Sequence, residues 1–391
     1  MNKWLFRLVA LMLCALFFAG CAPAAPIPGP SDQEHIPPIS DGENSPPDNT
    51  PDTPVLSSPD PSLKNPKADS FTLSFAGDCT FGDNFDAEGA GGGFRSAVKD
   101  NYDYPFSNVK SYFENDDCTF VNLECALTDN DPSEEEMEEL KEHRFRFRGP
   151  ASYAKILTAG SVEFASCANN HSKDYGRQGL YDTWDALEAE NIAYSSFGKP
   201  CLITTESGLK IGVYSVFFGF GQAELKNVIT RLKDQGAELI VMSIHWGDEG
   251  TYYPNDTQQR LGRTAIDLGV DIVFGHHSHT LQRIEPYNGG IIYYSLGNFS
   301  FGGNRNPSDK DTAILRQQVL RYEDGSVRLG DLEIIPCRVS SKTGWNDFRP
   351  TPYDPSDEAY ARVLVKLEGS FEGNNLNVSY APLPEKDSES E

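Results

Sequence analysis

From residue 71 onward, short runs of β-branched, aromatic and aliphatic residues alternate with longer stretches whose apolar positions fall three and four apart. The first kind suits strands, the second helices that pack by one face. FTLSFAG (71–77), CTFVNL (118–123), VEFASCA (162–168), KIGVYSVFF (210–218), LIVMSIHW (239–246) and DIVFG (271–275) are the predicted strands. Helices are expected at Ser107–Asn115, Gly179–Glu190, Gln222–Gln235 and Asp256–Leu268. In the second of these, Leu180, Trp184 and Leu187 stand at i, i+4 and i+7, the spacing of a face laid on a sheet. GGIIYYSLGNFSF (289–301) and residues 312–336 read as further strands, paired antiparallel. Such alternation is that of an α/β layered domain. It spans 70–340, while 341–391 gives weak signals and ends in the acidic tail PEKDSESE.

The first 21 residues, MNKWLFRLVALMLCALFFAGC, follow a different pattern. Lys3 and Arg7 precede an apolar stretch at 8–18, and Ala19 and Gly20 are small residues before Cys21, the layout of a signal peptide. The FAGC ending resembles a bacterial lipobox, which implies cleavage before Cys21 and a lipid on its sulfur, anchoring the body to the outer side of the cell membrane. An uncleaved signal anchor is the rival reading, and it too leaves the body facing outward. Residues 22–69 hold 13 of the 26 prolines and few large apolar side chains. Such a segment cannot bury enough surface to offset ordering, so a disordered tether is expected.

Charge narrows the partners. With 33 basic and 58 acidic side chains the net charge is −25, which argues against nucleic acid as a partner. Any anionic substrate then requires a locally positive feature. EEEMEELKEH (134–143) reads as an acidic surface helix or loop. Beyond Cys14 and Cys21, the cysteines are Cys79, Cys118, Cys125, Cys167, Cys201 and Cys337, with no CxxC pair. They point to small buried hydrophobes and not to a zinc ribbon, with one disulfide left open.

The chemistry sits at the strand ends. Asp78 follows the first strand; Asn122 and Glu124 close the second; Asn169, Asn170, His171 and Asp174 follow the third; His245 ends LIVMSIHW; His276, His277 and His279 follow DIVFG. Singly, each has an ordinary structural role available, as a cap, a turn or a satisfied core group. Together they hold five of the seven histidines, at the strand edge where open α/β sheets bind ligands. His277 and His279, two apart, share one side of an extended backbone. Carboxylates, an amide oxygen and neutral imidazoles suit Mn²⁺, Zn²⁺ or Fe better than Ca²⁺. One or two ions are expected, with Glu124 the candidate bridge if there are two.

AGDCTFGDN, VNLECALT, CANNHSKDYGRQGLYDT, IHWGDE, GHHSHTLQ and YSLGNFSF resemble, in order and spacing, the CapA-type poly-γ-glutamate capsule biosynthesis proteins, which are similar to calcineurin-like metallophosphoesterases. The resemblance covers 71–303. It implies a four-layer α/β/β/α sandwich and an extracytoplasmic role in making or exporting an anionic polymer, with the capsule polymer or a membrane synthase as partner. It also implies metal ligands at Asp78, Glu124, Asn170, His245, His277 and His279. His171 becomes the acid that protonates a leaving oxygen, with Asp174 the other catalytic candidate; His276 and Asn298 become supporting residues. The chain departs from the phosphoesterase pattern where Asp-x-His is usual, because Asp78 is followed by Cys79 and Thr80. Two functions follow: a metal-dependent hydrolase-like protein of capsule or cell-surface polymer synthesis, or a non-catalytic accessory subunit. Phosphodiester, glutamyl amide and lipid-linked substrates all stay open.

Overall fold

Alternation within one strand shows how the sheets stack. Every residue of the strand Leu239–His245 is buried, yet Leu239 and Val241 enter one core while Ile240, Met242 and Ile244 enter another. Successive side chains of a strand point to opposite faces, so this sheet is covered on both. In this computed structural model, residues 69–84, 92–140 and 145–376 are described. The leader, Cys21, the linker to residue 68 and residues 377–391 lie outside them.

The larger sheet has eight strands, ordered Thr351–Pro352, Val327–Arg338, Asp311–Arg321, Asp69–Thr80, Cys118–Leu123, Phe164–Ser166 and Ala193–Ser195, with Asn298–Phe301 also paired to Asp69–Thr80. The second has six, ordered Ile284–Tyr287, Gly290–Tyr293, Ile272–His276, Leu239–His245, Lys210–Phe217 and Cys201–Thr204. Phe71, Leu73 and Phe75 meet Leu239, Val241 and Phe274 in one shared core. Phe75 stacks on Phe120 at 4.9 Å between ring centres and meets Phe274 of the other sheet edge-on at 5.2 Å. Outside the six-stranded sheet, Ile240 and Met242 pack on Leu225, Val228 and Leu232 of the helix Gln222–Asp234 and Ala265 of Asp256–Asp267. Outside the larger sheet, Val121, Leu123 and Ala165 pack on Phe113, Leu157 and Leu187.

All six first-named strands form, and the chain is mixed α/β as expected. Three expectations need correction. GGIIYYSLGNFSF divides into Gly290–Tyr293 and Asn298–Phe301, which join different sheets in parallel with Ile272–His276 and Asp69–Thr80; antiparallel pairing holds for Gly290–Tyr293 with Ile284–Tyr287 and for Asp311–Arg321 with Val327–Arg338. The helix expected over 107–115 is only Lys110–Phe113, because Val109 supplies no side-chain cap and the preceding residues close tighter turns. The stretch after 340 carries the helix Glu358–Glu368, whose Val363 and Leu367 enter the core shared by the sheets. The acidic run forms the helix Glu134–Leu140, and all six described cysteines are free thiols. Among the described residues no helix is long and apolar enough to cross a membrane.

One buried carboxylate makes stability pH-dependent. Glu163 accepts the Thr119 amide proton at 2.8 Å, and burial, aided by the charge of Asp116, pushes its carboxyl up to about 7. The folded state therefore holds this proton more tightly than the unfolded chain, whose glutamate titrates near 4.3. The contribution is present in full below about pH 4.3 and is lost as pH rises towards about 7. Glu163→Gln, whose amide oxygen still accepts from Thr119, is expected to flatten the fall in melting temperature over that interval. An unchanged slope in a calorimetric pH series contradicts the assignment.

Candidate metal centre

Parallel pairing brings the strand ends together. Asp69–Thr80, Cys118–Leu123 and Phe164–Ser166 run in parallel, as do Lys210–Phe217, Leu239–His245 and Ile272–His276. Asp78 is fully buried. Gly77 permits this placement, since a Cβ there would stand 2.0 Å from the Gly297 carbonyl oxygen; the Asp78 amide donates to that same oxygen at 2.8 Å.

Around Asp78, Asn122 Nδ2 donates to Oδ1 at 2.9 Å, and His276 Nδ1 and His279 Nδ1 lie 3.2 and 3.5 Å from its oxygens. Glu124 Oε1 lies 3.5 Å from His245 Nε2, and 3.9 Å from both His279 Nε2 and His171 Nε2. Three groups of potential ligand atoms, each within 4.8 Å of one another, result: Glu124 with His245 and His277, Asp78 with Glu124 and His279, and Glu249 with His277 and His279. Glu124, His277 and His279 each belong to two of them, and Glu124 is the one carboxylate among the three.

The supporting contacts fix the rings. His279 Nδ1 meets Asn298 Oδ1 at 3.0 Å, which turns Nε2 towards Glu124. Ser243 Oγ donates to Ser166 Oγ at 2.8 Å, so the 3.1 Å contact of Ser243 with His276 Nε2 makes that nitrogen the donor and leaves Nδ1 facing Asp78. Asn169 Nδ2 donates to Asn122 Oδ1 and to the Leu123 carbonyl. His171 Nδ1 lies 2.7 Å from Asp174 Oδ2, which also accepts the Phe147 amide at 2.7 Å. Outer contacts of this kind orient ligands and hold their basicity.

Buried polar atoms normally find hydrogen-bond partners. Here both oxygens of Glu124, Asn170 Oδ1, His245 Nε2, His276 Nδ1 and His277 Nδ1 are buried without one. Charge in the cluster is correspondingly displaced. Burial favours a neutral Asp78, but contacts with His276 and His279 outweigh it and hold this carboxyl well below the usual range. Burial and then the charge of Asp78 push Glu124 well above it. Burial and the neighbouring His277 hold His245 well below an ordinary imidazole, and burial with His279 takes His277 down to about 4. His279 rises to about 10: burial opposes its charge, but Glu124, Asp78 and Glu249 prevail. The cluster thus sets an ionised Asp78 against a protonated His279, with His245 and His277 neutral; carboxylates and imidazoles together are a donor set that fits a divalent transition metal.

The structure brings His245, His277 and His279 into these groups, though not through the extended backbone that the spacing predicts. The strand ends at His276, and His277 and His279 follow with φ of 91° and 55°, in a strained turn and not an extended backbone. Their rings are 6.2 Å apart. Glu249 received no role, although the Gly-Asp-Glu-Gly after His245 offered it: Gly247 and Gly250 both take positive φ and turn the loop around it. Asn122 was noted without a role. The departure at Asp-x-His is structural as well: the Cys79 thiol is buried and held protonated by burial, and Thr80 Oγ1 donates to the Glu124 carbonyl at 3.0 Å, so position 80 secures the Glu124 backbone.

The family model described as Bacterial capsule synthesis protein PGA_cap matches residues 72–303. The chain belongs to this family. The match takes in the PGA_cap residues from Asp78 to Asn298 that form the cluster. The PGA biosynthesis protein CapA of Bacillus subtilis is 32% identical over 205 residues, covering 46% of this chain and 53% of that protein. The capsule biosynthesis protein CapA of Bacillus anthracis is 28% identical over 273 residues, covering 61% and 62%. A Mycobacterium tuberculosis protein named "Probable polyglutamine synthesis accessory protein" is 26% identical over 283 residues, covering 61% and 70%. The chain thus spans little more than half of the Bacillus subtilis relative and under two thirds of the Bacillus anthracis one. The solved NAD nucleotidase of Haemophilus influenzae is similar at 12% identity and a TM-score of 0.37, over 77% of this chain and 57% of that one. That likeness is too slight to bear on fold or chemistry.

Proposed function

We propose that this PGA_cap protein is a divalent-metal-dependent hydrolase-like protein of capsule or cell-surface polymer biosynthesis, held outside the cell membrane by a lipid on Cys21. The single observation that carries the metal reading is the convergence of five buried, unpartnered polar atoms of Glu124, His245, His276 and His277 beside Asp78 and His279. Burial of so many unmatched groups is costly unless a cation meets them. Asp78, Glu124, Asn170, His245, His277 and His279 would hold it, with Glu249 a further ligand. Helices outside both sheets support the four-layer α/β/β/α reading.

A bound divalent cation supplies Lewis acidity and lowers the pKa of water. The chain's own groups do the rest. His171 points Nε2 into the cluster and is held from behind by Asp174, a geometry suited to handing a proton to a leaving oxygen; Asp174 acts as a positioning residue. Mn²⁺, Zn²⁺ and Fe all match the donors, and the capsule polymer or a synthase is the partner in this reading.

The test is elemental analysis of the protein without its leader, after reconstitution with Mn²⁺ or Zn²⁺. Near one equivalent or more is expected; less than about 0.1 removes the metal reading, since a preformed site of this kind binds strongly. A second reading, an accessory subunit, is favoured by the replacement of Asp-x-His with Asp78, Cys79 and Thr80. It predicts that His171→Ala leaves polymer output unchanged in cells.

A further inference from the structure

A second site lies where the C-terminal helix meets the larger sheet. A cavity of about 420 Å³ opens there, lined among others by Tyr252, Lys310, Arg338, Lys342, Arg362 and Lys366. Five cations around one cavity stand out in a chain of net charge −25. Two of them are matched: Lys366 Nζ lies 2.7 and 2.8 Å from Asp309 and Asp311, and Arg362 grips Asp311 through Nε and Nη2, both at 2.7 Å. The other three are not. Lys310 Nζ donates to the Asn306 amide oxygen at 2.9 Å and Arg338 Nη2 to the Ser341 carbonyl at 3.2 Å. Lys342 is exposed, and none of the three has an ion-pair partner among the described residues.

The frame around them is built and not merely crowded. Asp311 and Arg338 face each other across paired strands, and the Val339 amide donates to the Lys310 carbonyl at 2.9 Å, which fixes the backbone that carries Lys310 and Arg338. The turn that carries Lys342 is held by Ser340 Oγ, which accepts the Lys342 amide at 3.0 Å, and by Asp347, which accepts from the Ser341 amide at 2.8 Å and from the hydroxyls of Ser340 and Ser341. Three uncompensated cations on fixed backbone favour an oxyanion, and a guanidinium matches a carboxylate with two parallel bonds. The cavity and the metal centre draw on one loop. Tyr252 stands three residues after Glu249, a span of at most about 11 Å, and its loop is tied to the turn of His277 and His279 by the Thr280 hydroxyl, which donates to the Thr251 carbonyl at 2.7 Å.

We propose that this cavity is a binding subsite for a carboxylate of an acidic polymer, gripping one repeat unit while another lies at the metal centre. The polymer's identity rests on the function proposed above; the anion chemistry does not. The test is calorimetric titration of the leaderless protein with a short γ-glutamyl oligomer, with inorganic phosphate and an amidated, uncharged oligomer as separate arms. The acidic oligomer is expected to bind, the uncharged one not, and Lys342→Glu combined with Arg338→Gln to weaken binding at least about tenfold, as befits lost charged hydrogen bonds, with metal content unchanged. Equal affinity in the double variant overturns the subsite. So does displacement of the oligomer by phosphate at matched ionic strength, which would make the ligand a phosphoryl group. If oligomer binding disappears in Glu124→Gln yet persists in the double variant, the anion sits at the metal alone: the subsite falls and the metal reading stands. A protein without metal that still loses the oligomer in the double variant gives the opposite split.

Discussion

Glu124→Gln is expected to weaken divalent-metal binding by more than about 100-fold, beyond what loss of a merely supporting contact produces. The same change is expected to raise the melting temperature of the metal-free protein. Both follow from one arrangement. Glu124 is wholly buried, its two oxygens have no hydrogen-bond partner, and Asp78 stands beside it within the same ligand group. A buried carboxylate so placed costs several kcal/mol unless a positive ion answers it. Burial and Asp78 push this carboxyl well above the usual range, so the metal-free fold must keep it protonated at a cost; glutamine keeps the shape and needs no proton, so that fold gains while the cation loses a shared ligand. A gain of about 1 kcal/mol raises the melting temperature of a domain this size by roughly 2–4 °C. Titration calorimetry with Mn²⁺ and scanning calorimetry of the stripped protein read the two effects. Unchanged affinity, or a lower melting temperature without metal, would make Glu124 a structural residue and undo the assignment of a shared ligand. Stabilisation at the expense of binding is the signature of a group retained for function.

What the sequence disclosed, it disclosed through periodicity. Runs such as LIVMSIHW and DIVFG read as strands, and parallel strands deliver their C-terminal residues to one edge; Asp78, Glu124, His245 and His276 were legible for that reason. What stayed hidden depends on backbone torsion or on distant partners. No spacing rule gives His277 a φ of 91°. Glu249 joins the cluster only because two glycines bend its loop back, and Asn122 matters because its amide reaches Asp78 across neighbouring strands. The helix Glu358–Glu368 was faint because it commits only Val363, Lys366 and Leu367 to the interior. One of those three, Lys366, is a buried charge that reads as polar until Asp309 and Asp311 appear beside it.

His171→Ala is expected to lower turnover of a metal-loaded protein by about 10²- to 10⁴-fold while leaving the bound metal unchanged. The ring is nine-tenths buried, packs on Phe147 with centres 4.4 Å apart, and is aimed by Asp174. Its free nitrogen lies 3.9 Å from Glu124 Oε1, near enough to a reacting group in the pocket, and it belongs to none of the three ligand groups. A proton donor to a leaving oxygen matters most when that oxygen is a poor leaving group. The loss should therefore be large for an alkyl ester and small for a nitrophenyl ester of the same acid. A purely structural histidine would depress both alike. Asp174→Asn should show the same preference at smaller size, because Asp174 acts through the orientation of His171 and also holds the Phe147 amide. Equal losses across leaving groups would remove His171 from the chemistry, and loss of metal in His171→Ala would instead move it into the coordination shell. Either result leaves Glu124 and its neighbours to be judged by their own measurement, so the proton donor and the cation can fail separately.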